Sequence, residues 1–354
     1  MEQKARDWFS DHKLLFAFGL VLLVCGLIFG ASLQFSAALL LVSILPGYLL
    51  SKALTDLTDV ERVVTAAPLS MVFVAVATLV PNILFDLKTV DGLYVIFLDL
   101  LLLGWLVFKG SKKTLLEPIM PQAIVLGLTV LGFFVATFLV AYGSLNHPAN
   151  DMVWSIDAVL QYNQVSWMAA RHDNSVPPSF NPRWRELSGA NVVPTSVVSQ
   201  AVITQLSGTA YWNANAYFLV IVFISMVLGA FLLFRRIIGI EAGLVAAFAV
   251  ALPFQINYAY PFYFGLWREI FSLMLTAIVI YYCLKTIDTR GKYAPVLGAL
   301  LLLFGLTHIV TAWGIAASVI LVLLYSLLEK EAFKAVWKPF LVRLAEKPTA
   351  EGRG

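Results

Sequence analysis

Apolar residues in this chain show neither the alternation of a half-buried strand nor the stripe of a surface helix. They run almost unbroken for a score of positions at a time, separated by short polar turns. An α-helix needs about 20 mostly apolar residues to cross the hydrocarbon core of a bilayer. The runs therefore predict about ten transmembrane helices, at 14–32, 35–52, 63–84, 91–108, 122–143, 215–234, 240–259, 267–286, 293–309 and 311–328. Backbone inside lipid must satisfy its own hydrogen bonds, so the fold class is all-α and polytopic.

The polar turns give the expected orientation. Lys4, Arg6 and Lys13 fall on one set of alternate turns with Lys52 and Arg62, with Lys109, Lys112 and Lys113, and with Arg235 and Arg236. Lys285, Arg290, Lys292 and the basic tail from Lys330 to Arg353 complete that set, whereas the other short connections carry little positive charge beyond Lys88. The positive-inside rule makes the basic set cytoplasmic, giving a multi-pass plasma-membrane protein with a cytoplasmic N-terminus. The run after Lys13 is long and lacks a clear small-residue cleavage site, so it is expected to stay as the first span. Val192–Gly208 is apolar enough to suggest another crossing, which would put Arg235 and Arg236 outside. Ser196, Ser199, Gln200, Thr204 and Gln205 also make it wet, so it is expected to lie at, or dip into, the outer interface.

One long interruption stands out. From Ser144 to Pro194 there is no membrane-length run, and Asp151, Asp157, Asp173, Glu186, Arg171, Arg183, Arg185, His147 and His172 are gathered there among Trp154, Trp167 and Trp184. With the segment that follows, residues 144–214 form one outer-face region in this topology. The start of the 267–286 span, with Arg268 and Glu269, and the end of the 293–309 span, with His308, come out at the same face. Composition agrees with the membrane class: 60% hydrophobic residues, 13% charged and a mean hydropathy of +0.85 exclude an ordinary soluble domain. Cys25 and Cys283 both fall in predicted spans and imply packing rather than a disulfide framework.

Apolar positions at Ala158, Val159, Val165, Met168 and Ala169 predict a surface helix from about Asp157 to Arg171, capped near Ser155. Asp157 at its start is either a base for an incoming hydroxyl, strengthened by low dielectric, or a residue that favours the helix N-terminus. Asp151 is either a second carboxylate of a site or an ordinary turn residue. Arg268 has the geometry for bidentate phosphate binding, or snorkels toward headgroups and pairs with Glu269. Tyr263 and Trp267 support it, or belong to an interfacial aromatic belt. His308 either contacts a lipid phosphate or bonds to a neighbouring helix. His147, Asp151, Asp157 and His172 offer ligands to a divalent ion without a recognised spacing, so no metal site is assigned. No phosphate-cradling glycine loop, Ser/His/Asp signature or nucleic-acid stripe is present.

A span leading into a long outer loop with Asp157, then Pro177, then a Pro-initiated segment from Pro194 to Leu206-Ser207-Gly208, resembles the type C glycosyltransferase superfamily. Its members take sugars from polyprenyl-phosphate carriers on the outer face and include oligosaccharyltransferases and protein mannosyltransferases. The resemblance covers about residues 122–328 and implies Asp157 as the catalytic carboxylate, Asp151 as its fallback, and Arg268 and His308 as holders of the carrier phosphate. Val193-Pro194-Thr195 replaces the usual Tyr-Pro-Pro, and Gln161 and Tyr162 stand where an acid-aromatic-His run is usual. Leu45-Pro46-Gly47-Tyr48 followed by Glu61-Arg62 resembles the N-terminal part of uncharacterised prokaryotic, often archaeal, membrane proteins. Physically, Pro46 and Gly47 would kink or thin a span and allow close helix packing.

Three segments result: an N-terminal four-span module over 1–121, a glycosyltransferase-like core over 122–328, and a basic cytoplasmic tail over 329–354. The superfamily's large soluble C-terminal domain is missing, so this is either a compact member or a chain that stops before further spans. The expected activity is transfer of a sugar from a polyprenyl-phosphate donor to a glycan, lipid or protein acceptor, among membrane lipids and without nucleic acid. The alternatives are a transporter or flippase, for which Asp99 is the main mid-span charge, and a non-catalytic membrane subunit of a glycan-assembly complex.

Overall fold

The computed structural model describes residues 2–85, 90–110, 112, 114–146, 165–172, 195–209, 211–252, 267–289 and 291–307. All belong to one compact unit, Met1–His308; the second unit, Ile309–Gly354, lies outside the described residues, and with it the predicted span at 311–328 and the basic tail. The elements in order are α1 (Glu2–Ile28), α2 (Leu33–Ser43), α3 (Leu45–Leu54), β1 (Leu57–Thr58), α4 (Asp59–Phe85), α5 (Gly92–Lys109), β2 (Thr114–Leu115) and α6 (Ile119–Asn146). A short helix α7 (165–171) follows, then α8 (Thr195–Ser207), α9 (Tyr211–Ile237), α10 (Ile240–Ala251), α11 (Trp267–Asp288) and α12 (Ala294–Thr307).

Among the described residues, six stretches are helical, long and apolar enough to cross a membrane, counting α2 and α3 together. The other apolar helices are described over shorter lengths.

The span predicted at 35–52 is broken in two. Ile44, at φ −126° and ψ −51°, separates α2 from α3, and Pro46 sits in the first turn of α3. There its missing N–H leaves no hydrogen bond unmade. Gly47 follows, and the backbone of α4 passes directly over it: a Cβ built on Gly47 would lie 1.9 Å from the carbonyl oxygen of Ala66. Ser70 holds the crossing from the other side by accepting the Gly47 N–H at 2.8 Å. The kink and the close packing expected from Pro46-Gly47 are both present.

Helix α4 is the centre of the bundle. Helices from both sides of the 121/122 boundary, among them α1, α2, α3, α8, α9 and α12, pack around it. Its small residues Ala66, Ala67 and Ala75 are buried, which lets those neighbours approach. Thr65 and Thr78 are buried too, and each donates its hydroxyl to a carbonyl one turn back.

Of the two expectations for Val192–Gly208, lying at the outer interface or dipping into it, the burial of α8 does not fit a helix exposed along one side. Every residue from Val197 to Ile203 is at most 1% exposed, so no face of that stretch is open to a surface. At 13 residues, α8 is about 20 Å long, too short for a crossing. Its apolar surface lies inside the bundle.

Candidate functional site

Helix direction sorts the described residues to two ends. At one end β1 and β2 pair in parallel, Leu57 with Thr114 and Thr58 with Leu115. Arg235 pairs with Glu117, Arg236 with Asp288, and Lys285 with Glu61, while Lys292 comes within 3.7 Å of Asp56. The N–H of Lys112 donates to the carbonyl of Lys52 at 2.9 Å. The turns around Lys52 and Arg62, Lys112, Arg235 and Arg236, and Lys285 and Lys292 thus meet at a single charged end.

Acids supply the other half of that cluster. Glu61, 3% exposed, accepts from the Lys285 ammonium, the Tyr281 hydroxyl and the Thr58 backbone N–H. Asp59 accepts from the Glu117 N–H at 3.0 Å and from the Gln122 amide at 2.6 Å. Arg62 is fully buried and donates to the Ser51 hydroxyl and to the carbonyl of Thr55. Attention to Lys and Arg alone passes over these acids, although Asp59 and Glu61 stand in the first turn of α4, where the helix dipole favours them.

The opposite end carries α7, the described part of the long polar loop. The helix stops at Arg171, where it was expected to stop; His172 follows with φ +54° and donates its N–H back to Met168. Gln205 of α8 ties this segment down. Its amide oxygen accepts the Gly92 N–H at 2.9 Å, and its amide nitrogen donates to the carbonyls of Val90 and Met168. Asp91 caps α5 through the Leu93 N–H and lies 3.4 Å from Nδ1 of His172. Gln34 of α2 donates to the carbonyl of Leu206, which brings the start of α2 to the same place. Sequence reading took Gln205 as a sign of wetness; its partners are main-chain groups 36 to 115 residues away, invisible to any local pattern.

Of the predicted site residues, Asp151, Asp157, Tyr263 and His308 lie outside the described residues. Trp267, Arg268 and Glu269 are the first three residues of α11. The last turn of α11 is fixed at the charged end by Asp288 and Lys285, and its 22 residues span about 33 Å. Its first turn is therefore at the loop end, with α7 and the starts of α5 and α9. Helix α12 runs the same way in reverse: Lys292 precedes it at the charged end, and Thr307 closes it toward the loop end. Of the four residues considered for a divalent ion only His172 is described, and among the described residues no group of three or more His, Cys, Asp and Glu gathers as for a metal.

One further ionisable group sits between the ends. Asp99, 4% exposed, occupies the inward stripe of α5 with Val95 and Leu106, and neither carboxylate oxygen has a hydrogen-bond partner. No protein family, curated protein or solved structure matches this chain significantly.

Proposed function

We propose that this chain is a membrane glycosyltransferase that moves a sugar from a polyprenyl-phosphate carrier to an acceptor at the loop end of the bundle. The observation carrying the reading is the placement of the first turn of α11, which begins Trp267-Arg268, at the end that carries α7, about 30 Å from the charged cluster. In the proposed reaction the acceptor hydroxyl attacks the anomeric carbon of the donor sugar and Asp157 takes its proton. The bond from that carbon to the carrier phosphate oxygen breaks, and the phosphate leaves with the bonding pair. Arg268 stabilises the charge that develops there, with His308 as a second contact. Asp151 is the alternative carboxylate, and Glu269, Tyr263 and Trp267 are the proposed support of Arg268.

Both Asp157→Asn and Arg268→Ala are expected to lower incorporation of radiolabelled sugar from membrane lipid into acceptor by about 100-fold or more. The protein should still purify as a folded species. Incorporation at the parent rate in both variants rejects the assignment.

Asp99 favours a second reading. A carboxylate without a partner inside a membrane-length helix is a recurring feature of proton- or solute-conducting paths. If the chain is a transporter or flippase, Asp99→Asn abolishes translocation of a fluorescent polyprenyl-phosphate analogue and leaves sugar transfer untouched. A non-catalytic subunit would show neither activity.

A further inference from the structure

At the charged end, Thr58, Glu61, Glu117, Arg235, Arg236 and Tyr281 line an open cleft of about 530 Å³. It lies between the start of α4, the turn before α6, the last turn of α9 and the final third of α11. The acceptors in its wall are already engaged. Glu61 receives Lys285, Tyr281 and the Thr58 N–H, while Glu117 receives the Thr58 hydroxyl at 2.7 Å and Arg235. The donors are not. Nη1 of Arg235 and Nε of Arg236 are buried without a hydrogen-bond partner, while each side chain spends an Nη2 on a carboxylate. The guanidinium carbons lie 5.9 Å from the Phe231 ring centre and 5.6 Å from that of Tyr281, so the rings hold both planes in place.

The surplus is therefore one of donors, and a ligand that satisfies it must bring acceptors. Guanidinium forks match the oxygens of a phosphate group better than those of any neutral ligand. The dipole at the end of α9 accounts for cations there, but it leaves the two unpartnered N–H groups unexplained. We infer that this cleft binds a phosphate group, carried either by a lipid headgroup or by a free phosphate. The lipid source is open to it because the helices end here, and exposed Leu116 and Pro118 form part of the lining. The site is separate from the loop end and does not rest on the transferase reading.

Thermal unfolding of the detergent-solubilised protein, titrated with inorganic phosphate and separately with dihexanoyl-phosphatidate, tests the inference against sodium chloride at matched ionic strength. At least one probe is expected to raise Tm in a saturable way. Half-maximal effect at about tenfold lower concentration of the lipid marks a headgroup site; equal or better response to phosphate marks a free-phosphate site. The double variant Arg235→Lys, Arg236→Lys keeps both charges but removes the spare N–H groups, and should weaken the response about tenfold. Leu116→Trp, at a position 46% exposed, should weaken it by filling the cleft and serves if the double variant does not fold. The inference is overturned if neither probe raises Tm beyond chloride, or if the folded variants respond as the parent does.

Discussion

Gly47→Ala is expected to leave the bundle unable to close around α4. The added methyl would sit 1.9 Å from the Ala66 carbonyl oxygen, 2.3 Å from the Ser70 nitrogen and 2.8 Å from the Leu69 carbonyl carbon. All three are backbone atoms of a helix buried on most sides, so no side chain can swing away to make room. Relief requires α3 and α4 to separate, which also breaks the Gly47 N–H bond to Ser70. A loss above about 4 kcal/mol follows, the range reserved for overpacking combined with a broken buried bond. Size-exclusion chromatography of a fluorescent fusion should show aggregate in place of the parent's single peak. Gly19→Ala and Gly127→Ala are the controls, because nothing lies within 4 Å of a Cβ at either position. Both should elute as the parent, alanine being the better helix former. A folded Gly47→Ala protein with parent stability would mean that α3 and α4 are not in contact at this point.

Glu61→Gln is the second large effect. The glutamine keeps the size of the side chain but has one acceptor oxygen where Tyr281 and Thr58 use two, so it keeps only one of those bonds, and it no longer neutralises Lys285. Lys285 is 9% exposed and sits 4.1 Å from the Tyr293 ring centre. Removing one partner of a buried pair leaves an uncompensated charge and costs about 3–5 kcal/mol. Replacing both is much milder, since the second charge then needs no solvation. The ordering expected in detergent thermal unfolding is therefore parent, then Glu61→Gln with Lys285→Met, then Glu61→Gln alone. Equal Tm values for the two variants would show that the pair contributes nothing, and parent-like stability of the single variant would contradict the burial of Lys285.

The contrast between these two sites shows which parts of the fold a linear reading can reach. Pro46-Gly47 announces a kink and a close approach because the cause is local: one residue lacks an N–H and the next lacks a Cβ. Apolar runs announce spans for the same reason, since the bilayer acts on each helix separately. The count falls short of ten because the apolar stretches at α10, α11 and α12 are described over shorter lengths than the runs containing them, and the run at 311–328 lies outside the described residues. The charged end was legible only by its cations, as topology is set by Lys and Arg while acids contribute little. The acids that pair with them, Glu61, Glu117 and Asp288, lie up to 224 residues from their cations in the chain.

The burial of helix α8 was hidden for a related reason. Glutamine, serine and threonine in an apolar stretch look like adaptation to water, but a side chain bonded to distant main chain, as Gln205 is, gives the same local pattern. Gln205 finds that main chain in α5 and α7. Of the proposed site, the start of α11 and the end of α7 follow from span alternation alone. Asp157 and Arg268 owe their roles to a resemblance, and their chemistry depends on the contacts of two side chains that no periodicity specifies.

The geography of the two ends decides the account. Single cysteines placed in a background lacking Cys25 and Cys283, at Ser155 and Gly265 for the loop end and at Lys112 and Thr289 for the charged end, can be probed in intact cells with a membrane-impermeant maleimide. The account predicts that Ser155→Cys and Gly265→Cys label from outside, while Lys112→Cys and Thr289→Cys label only after lysis. Labelling of positions 155 and 265 from opposite sides would contradict it, because Asp157 and Arg268 could then never act on one donor.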